Sequence, residues 1–252
     1  MKRKNLTMKK LSAVLISATM MLNGGVPIQA ASAELTDPYA NETLSDGSGD
    51  EAENLEIGTD EETVNESTDE EENIEKCLQC LSKHPFEIIV VDTGSTDRTK
   101  ESAQKYADKL LDFPWCNDFS AARNFLVEKV HTDYWMWLDA DDILNEENLE
   151  KLKLLKASLD KKVDVVMMDY AAGFDADKKV IFSYYRERIL KTSGNFRWSG
   201  RVHEAIMPKG NIFYSDIEIQ HRKYGQGDPD RNLRIYEKML AENEPLEPRH
   251  QL

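Results

Sequence analysis

Across residues 34–72 the chain has no lysine, no arginine and a single aromatic side chain, whereas 16 acidic residues fall there. Such a stretch offers too little apolar surface to offset chain entropy, so it reads as a disordered acidic linker. No regular ligand spacing marks it as a calcium-binding tail. The formal net charge of -15 belongs to this segment. The remainder is close to balanced, which argues against nucleic acid as a partner without giving the folded part a strong sign. Cysteine is also scarce: Cys77, Cys80 and Cys116 are the whole complement, and an odd number excludes a fully paired disulfide framework. Cys77 and Cys80 sit at helical spacing in an amphipathic pattern and read as core packing, not as a redox pair. Long apolar runs are missing too. The run LSAVLISATMML has 12 residues, short of the ~20 that cross a bilayer as a helix.

What is present begins with that run. It follows the basic start MKRKNLTMKK and precedes a small-residue exit ending at Ala33, so residues 1–33 read as a cleaved signal peptide that directs export. Organised sequence starts near Asn73. Ile74, Cys77, Leu78 and Leu81 recur at helical spacing, and FEIIVV, from Phe86 to Val91, is a continuous apolar run ending in the polar turn DTGSTD. A buried parallel strand with a helix over RTKESAQKYADKLL is the expectation, with Ser95 or Thr96 capping that helix. The theme returns in DYWMWLDADD, followed by a helix from about Glu146 to Leu159 and a further strand, DVVMMDY. Alternating strands and helices point to an α/β fold, a mixed sheet flanked by helices, with its site at the carboxyl ends of the strands. At 252 residues and 40% hydrophobic content there is material for one such core plus tails.

Three carboxylates, Asp139, Asp141 and Asp142, crowd the end of the strand WMWL. Like charges so placed repel and need compensation, and a divalent cation with oxygen ligands supplies it. In a calcium-loop frame Leu144 falls where glycine is needed and Ile143 replaces an oxygen ligand, so an EF-hand is excluded.

The order of these motifs resembles family 2 glycosyltransferases with the GT-A fold, a Rossmann-like mixed sheet flanked by helices. The resemblance implies a domain over residues 73–230, an inverting transfer from a nucleotide-sugar donor, usually a UDP-sugar, to an unknown acceptor, and Mg2+ or Mn2+ as cofactor. Carried onto this chain, it places Asp92, Ser95 and Asp97 near the donor base or ribose, and Arg123 and Asn124 of SAARN along the donor site. Asp139 and Asp141 become the DxD motif that holds the metal, with Asp142 starting a helix. In GNFRWSGRVHEAI, Glu204 is the expected base, His203 its orienting neighbour and Trp198 a flat face for a sugar ring. His221, ending a short alternating strand, is the expected late metal ligand. Residues 231–252 resemble the helical junction to tetratricopeptide-type repeats.

The resemblance also places a buried first strand directly before ENIEKCLQCL, where this chain carries TDEETVNESTDE. Carboxylates at that density cannot occupy the centre of a parallel sheet, so the expectation is a domain incomplete at its N-terminus. It could bind nucleotide or sugar without efficient transfer, unless the segment LSAVLIS stayed on the chain and took that place. Export and family activity also conflict, because nucleotide sugars are made in the cytosol.

Overall fold

The computed structural model describes residues 11–18 as backbone, then residues 70–222 and 230–246. The chain divides into two units, Met1–Asn23 with Ser67–Leu252, and Gly24–Glu66. The second lies outside the described residues, as does most of the expected linker.

In chain order the elements are β1 (Leu11–Ala18), α1 (Glu70–Ser82), β2 (Ile88–Asp92), α2 (Thr99–Gln104), β3 (Lys109–Asp112), α3 (Phe119–Val127), β4 (Tyr134–Asp139), β5 (Asp142–Ile143), α4 (Glu146–Ser158), β6 (Val165–Phe174), β7 (Val180–Lys191), β8 (Trp198–Ser199), β9 (Ala205–Ile206), β10 (Ile212–His221) and α5 (Arg231–Ala241). Eight strands form one sheet in the order β3-β2-β1-β4-β7-β6-β10-β5, and β8 pairs with β9 apart from it. The mixed α/β architecture is the one expected.

The first strand is where sequence and structure part. Leu11–Ala18 lies parallel between β2 and β4, with Leu15 opposite Ile89 on one side and Trp137 on the other. The segment read as a signal is the central strand, and TDEETVNESTDE does not need to enter the sheet. The physical reason is that an apolar run of this length meets a strand's requirement as well as a signal's. With both its edges paired, β1 satisfies backbone groups of β2 and β4 that would otherwise be open.

The continuous apolar runs are explained by burial on both faces. Ile88, Val90, Met136 and Leu138 point into a core shared with Ile74, Leu78 and Leu81 of α1 and Leu149 and Leu152 of α4. Their neighbours Ile89, Val91, Trp135 and Trp137 point the other way, against Leu126 and Val127 of α3 and Trp198 and Ile206 of the small hairpin. Each such side chain, buried in full, contributes roughly 1.5–3 kcal/mol.

The long helix expected after DTGSTD is shorter. It ends at Gln104, and Leu110 and Leu111 instead pair with Val90 and Val91 as the edge strand β3. Asp108 fixes the change of direction, because its carboxylate accepts the Ile88 N–H at 2.8 Å. The helix at 146 forms as expected, capped by Asn145, whose side chain accepts the Asn148 N–H. No described helix is long and apolar enough to cross a membrane.

Candidate active site

Strand directions gather the site. β6 and β4 are both antiparallel to β7, and β10 is parallel to β6, so the carboxyl ends of β4 and β10 lie on the same edge of the sheet. β2 and β1 run parallel to β4 and end there too, with Ala18 opposite Asp92 and Ser17 opposite Asp139. After Asp139 the chain turns back as β5, which pairs antiparallel with β10 and sets Asp142 opposite His221. The Arg222 N–H donates to the Asp141 carbonyl at 2.9 Å, closing the turn. Residues 80 positions apart in sequence meet for this backbone reason.

Two buried ionic groups result. In the first, the Arg123 guanidinium donates through Nη2 to Asp139 Oδ1 at 2.7 Å and through Nε to Glu204 Oε1 at 2.6 Å. All three side chains are nearly inaccessible. Burial works against the Arg123 charge, but Asp139 and Glu204 outweigh it and hold the guanidinium protonated. Its planar head lies 4.6 Å from the Trp198 ring centre and 5.3 Å from that of Trp137, a cation–π arrangement on desolvated rings.

In the second group, Asp141, Asp142 and His221 each bring one possible ligand atom within 4.8 Å of the others, and Asp141 Oδ1 and Asp142 Oδ1 both face His221 Nδ1. These three atoms are buried and lack a hydrogen-bond partner of acceptable geometry among the described residues. His221 Nδ1 lies 3.3 Å from Asp141 and 3.5 Å from Asp142, close enough for charge attraction though misaligned for a hydrogen bond. Burial pushes the His221 imidazolium toward losing its proton, but the two carboxylates overcome this and raise its pKa to about 10. Burial raises the Asp141 carboxyl, with His221 offsetting part of the shift. Burial would also raise Asp142, yet Arg188, His221 and the Asp139 N–H hold it down to about 2.

Asp142 corrects the sequence reading. It does not start a helix; it is 0% exposed and paired at 2.8 Å with Arg188, itself 0% exposed. Arg188 lies between the rings of Trp137 and Tyr170, at 3.7 and 4.3 Å. Asp139 is also placed differently from the DxD expectation. Its carboxylate turns to Arg123, so the carboxylates that group with His221 are Asp141 and Asp142. Asp141 and His221 lie together with Asp142 at this edge of the sheet.

The other candidates divide. Asp92 is buried at its strand end, but its carboxylate accepts the Gly94 and Ser95 N–H groups at 3.0 and 3.2 Å, organising the DTGSTD turn. Gly94 at φ 121° allows that turn. Asp97 Oδ1 accepts the Thr99 N–H at 3.0 Å, so Asp97, and neither Ser95 nor Thr96, serves the helix start. Asn124 clamps β8 through both its amide atoms, donating to the Trp198 carbonyl and accepting the Trp198 N–H. Trp198 is 4% exposed and packs edge-on to Trp137 at 4.8 Å. It is core and shows no open face to a sugar. His203 is exposed, with φ 52° in the turn between β8 and β9, and this turn delivers Glu204.

Sequence reasoning gave Asp142 a helix start and missed Arg188 and Arg186. Arg186 lies 5.0 Å from the Trp137 ring centre and 3.4 Å from Glu187. The available signal was RER in the middle of an otherwise apolar strand end, since arginines there need buried partners.

Comparison with known proteins is consistent with this geometry. The family model of Glycosyl transferase family 2 matches residues 63–214. Among curated proteins the chain is 28% identical over 198 residues to the SPbeta prophage-derived glycosyltransferase SunS of Bacillus subtilis, covering 71% of this chain and 44% of that protein. It is 29% identical over 151 residues to the lipopolysaccharide core biosynthesis glycosyltransferase LpsC of Rhizobium meliloti, covering 57% and 55%. The chain thus spans about half the length of these relatives. The solved structure of S. aureus TarS 1-349 in complex with UDP-GlcNAc aligns over 72% of this chain and 66% of that one, at 17% identity and a TM-score of 0.47, too loose a likeness to carry a functional argument.

Proposed function

The chain belongs to glycosyl transferase family 2, whose model covers more than half of it, and from that membership and the site we propose that it transfers a sugar from a nucleotide-sugar donor, with inversion, to an acceptor nucleophile. The observation that carries the proposal is the trio of buried atoms Asp141 Oδ1, Asp142 Oδ1 and His221 Nδ1, which face one another without an aligned hydrogen bond among the described residues. Two hard oxygens and one imidazole nitrogen suit Mg2+ or Mn2+. An ion held there would neutralise charge on a departing nucleoside diphosphate.

The protein's own residues have separate tasks in this reading. Asp142 is kept ionised by Arg188 through Oδ2, which leaves Oδ1 for the cation. His221 must give up its proton to serve as a ligand, so cation binding releases a proton. Glu204 is fixed by Arg123 through Oε1, and Oε2 is the oxygen we assign to the acceptor's proton as the anomeric carbon is attacked from the face opposite the diphosphate. Asp139 orients Arg123. Asp92, Ser95 and Asp97 build the turn at the donor side, and exposed His203 flanks Glu204. UDP is the proposed donor nucleotide. A β1 paired on both edges supports a chain that keeps residues 1–33 and works where nucleotide sugars are made, in the cytosol.

The test is calorimetry with UDP in the presence and absence of Mn2+, followed by a screen of UDP-sugars for hydrolysis or transfer. Mn2+-dependent UDP binding is expected. Glu204→Gln should slow turnover by roughly 10²-fold or more while keeping UDP affinity. UDP binding that ignores Mn2+ would remove the metal role, and full turnover by Glu204→Gln would remove the base.

A further inference from the structure

A line of aromatic rings leads away from the cation site along the hairpin of β6 and β7. The His221 ring lies 5.6 Å from Tyr170, Tyr170 lies 5.5 Å edge-on from Tyr184, and Tyr184 lies 5.6 Å from Phe182. Accessibility rises along the line, from 6% at Tyr170 to 38% at Tyr184 and 54% at Phe182. Register explains the line, since Tyr170 is opposite Tyr184 and Gly173 is opposite Phe182. At Gly173 a Cβ would come within 2.8 Å of the Phe182 Cβ, so glycine is what lets Phe182 lie close to β6 there. The outer rings bury nothing in either core, and such exposed aromatic side chains call for an occupant.

We propose that Tyr184 and Phe182 form the acceptor platform, and that the acceptor is a carbohydrate whose sugar ring stacks on Tyr184 with its hydroxyl directed toward Glu204 and the cation site. The inference rests on the transferase reading and goes beyond it by naming the acceptor class. Three features favour a sugar over a protein surface. The line is continuous with the cation site, so an occupant of its inner end is next to the reacting centre. On the face that carries Phe182 and Tyr184, the next residue inward in β7 is Arg186, so the rings end at a cationic edge, which matches a ligand that has apolar faces and polar edges. Arg186 is one-quarter exposed at the inner end and supplies donors to ring hydroxyls or to an acidic substituent.

The experiment uses the full chain with UDP and Mn2+, and cellobiose, chitobiose and lactose as probes in saturation-transfer difference NMR, with calorimetry of UDP on the same samples. At least one disaccharide should show saturation of its ring protons. Tyr184→Ala should weaken that disaccharide roughly three- to tenfold, the range expected for one lost ring contact, while Tyr184→Phe retains it. UDP affinity should be the same in wild type and both variants. Saturation of no disaccharide, or equal binding by Tyr184→Ala, overturns the platform. So does a concentration-dependent dimer abolished by Phe182→Ala, because the rings would then join two copies of the chain. Failure of wild type to bind UDP with Mn2+ would instead count against the transferase reading, and the disaccharide result would still judge the platform.

Discussion

The two buried ionic groups at the carboxyl edge are built from the same residue types and lie side by side, yet one is closed and the other open. Arg123, Asp139 and Glu204 satisfy one another through hydrogen bonds of 2.6 and 2.7 Å. Asp141, Asp142 and His221 leave three buried polar atoms without an aligned hydrogen bond among the described residues. The open group is held by charge attraction across 3.3 and 3.5 Å without aligned hydrogen bonds, so a cation can replace the His221 proton there without breaking a hydrogen-bonded network. The closed group shapes the site, and the open group is where a ligand gains most by binding.

The largest way to break this comparison is to remove the strand that lies between the ends of β2 and β4. A chain beginning at Glu34 would leave both neighbours of β1 with unpaired edges. It should lose cooperative unfolding in urea and lose both groups together. A sharp transition with full UDP binding in that shortened chain would show that β1 is dispensable. Next in size is Arg123→Met, which leaves Asp139 and Glu204 buried without their cation. A loss of about 3–5 kcal/mol is expected from the urea midpoint, and a loss under about 1 kcal/mol would mean that the closed group is not the structural one.

A pH series sharpens the contrast. The folded pKa of His221, about 10, lies above its usual 6.5, so without metal its contribution to stability is complete below pH 6.5 and is lost as pH rises through 10. Asp142 works in the opposite direction. Its folded pKa of about 2 lies below the usual 3.8, so its contribution holds above pH 3.8 and is lost as pH falls toward 2. Metal-free protein should therefore lose stability on the alkaline side, while Mn2+, which needs the imidazole unprotonated, should bind more tightly as pH rises from 6 to 8. Denaturation midpoints at several pH values, with EDTA or with Mn2+, would report both slopes. Parallel slopes in the two series would separate His221 from the cation.

A smaller effect concerns the thiols. Cys77 is buried and its pKa is raised well above the usual value, by burial first and then by Asp142 and Cys80, whereas Cys116 is exposed. An alkylating reagent should label Cys116 in native protein and reach Cys77 only on unfolding. Native labelling of Cys77 would show that the edge holding the open group is loosely packed.

The legible parts of the molecule were those whose reason is local. Continuous apolar runs at 88–91 and 134–138 announce strands buried on both faces, and the helical spacing of Ile74, Leu78 and Leu81 announces α1. β1 was not legible as a strand because its eight residues and the apolar centre of a signal share composition, and only pairing with β2 and β4 shows the strand. Within the site, the grouping of Asp141 with His221 was expected from the resemblance. Asp142 was not, because its role depends on Arg188, 46 positions away. Trp198 looked like an open ring because nothing in GNFRWSG reveals that Asn124 clamps it from another element. Glu204 was found by its neighbourhood, but its bond to Arg123 spans 81 positions and belongs to tertiary structure alone.

The central claim is that Asp141, Asp142 and His221 of the open group are the ligands of a divalent cation. Titration of Mn2+ followed by electron paramagnetic resonance, with UDP present, tests it in wild type, Asp141→Asn and His221→Ala. One bound Mn2+ in wild type is expected, with affinity lowered by at least about tenfold in each variant, while the urea midpoint of metal-free Asp141→Asn is unchanged or raised because a buried carboxylate, whose charge burial disfavours, becomes a neutral amide. Equal Mn2+ affinity in wild type and both variants would contradict the claim.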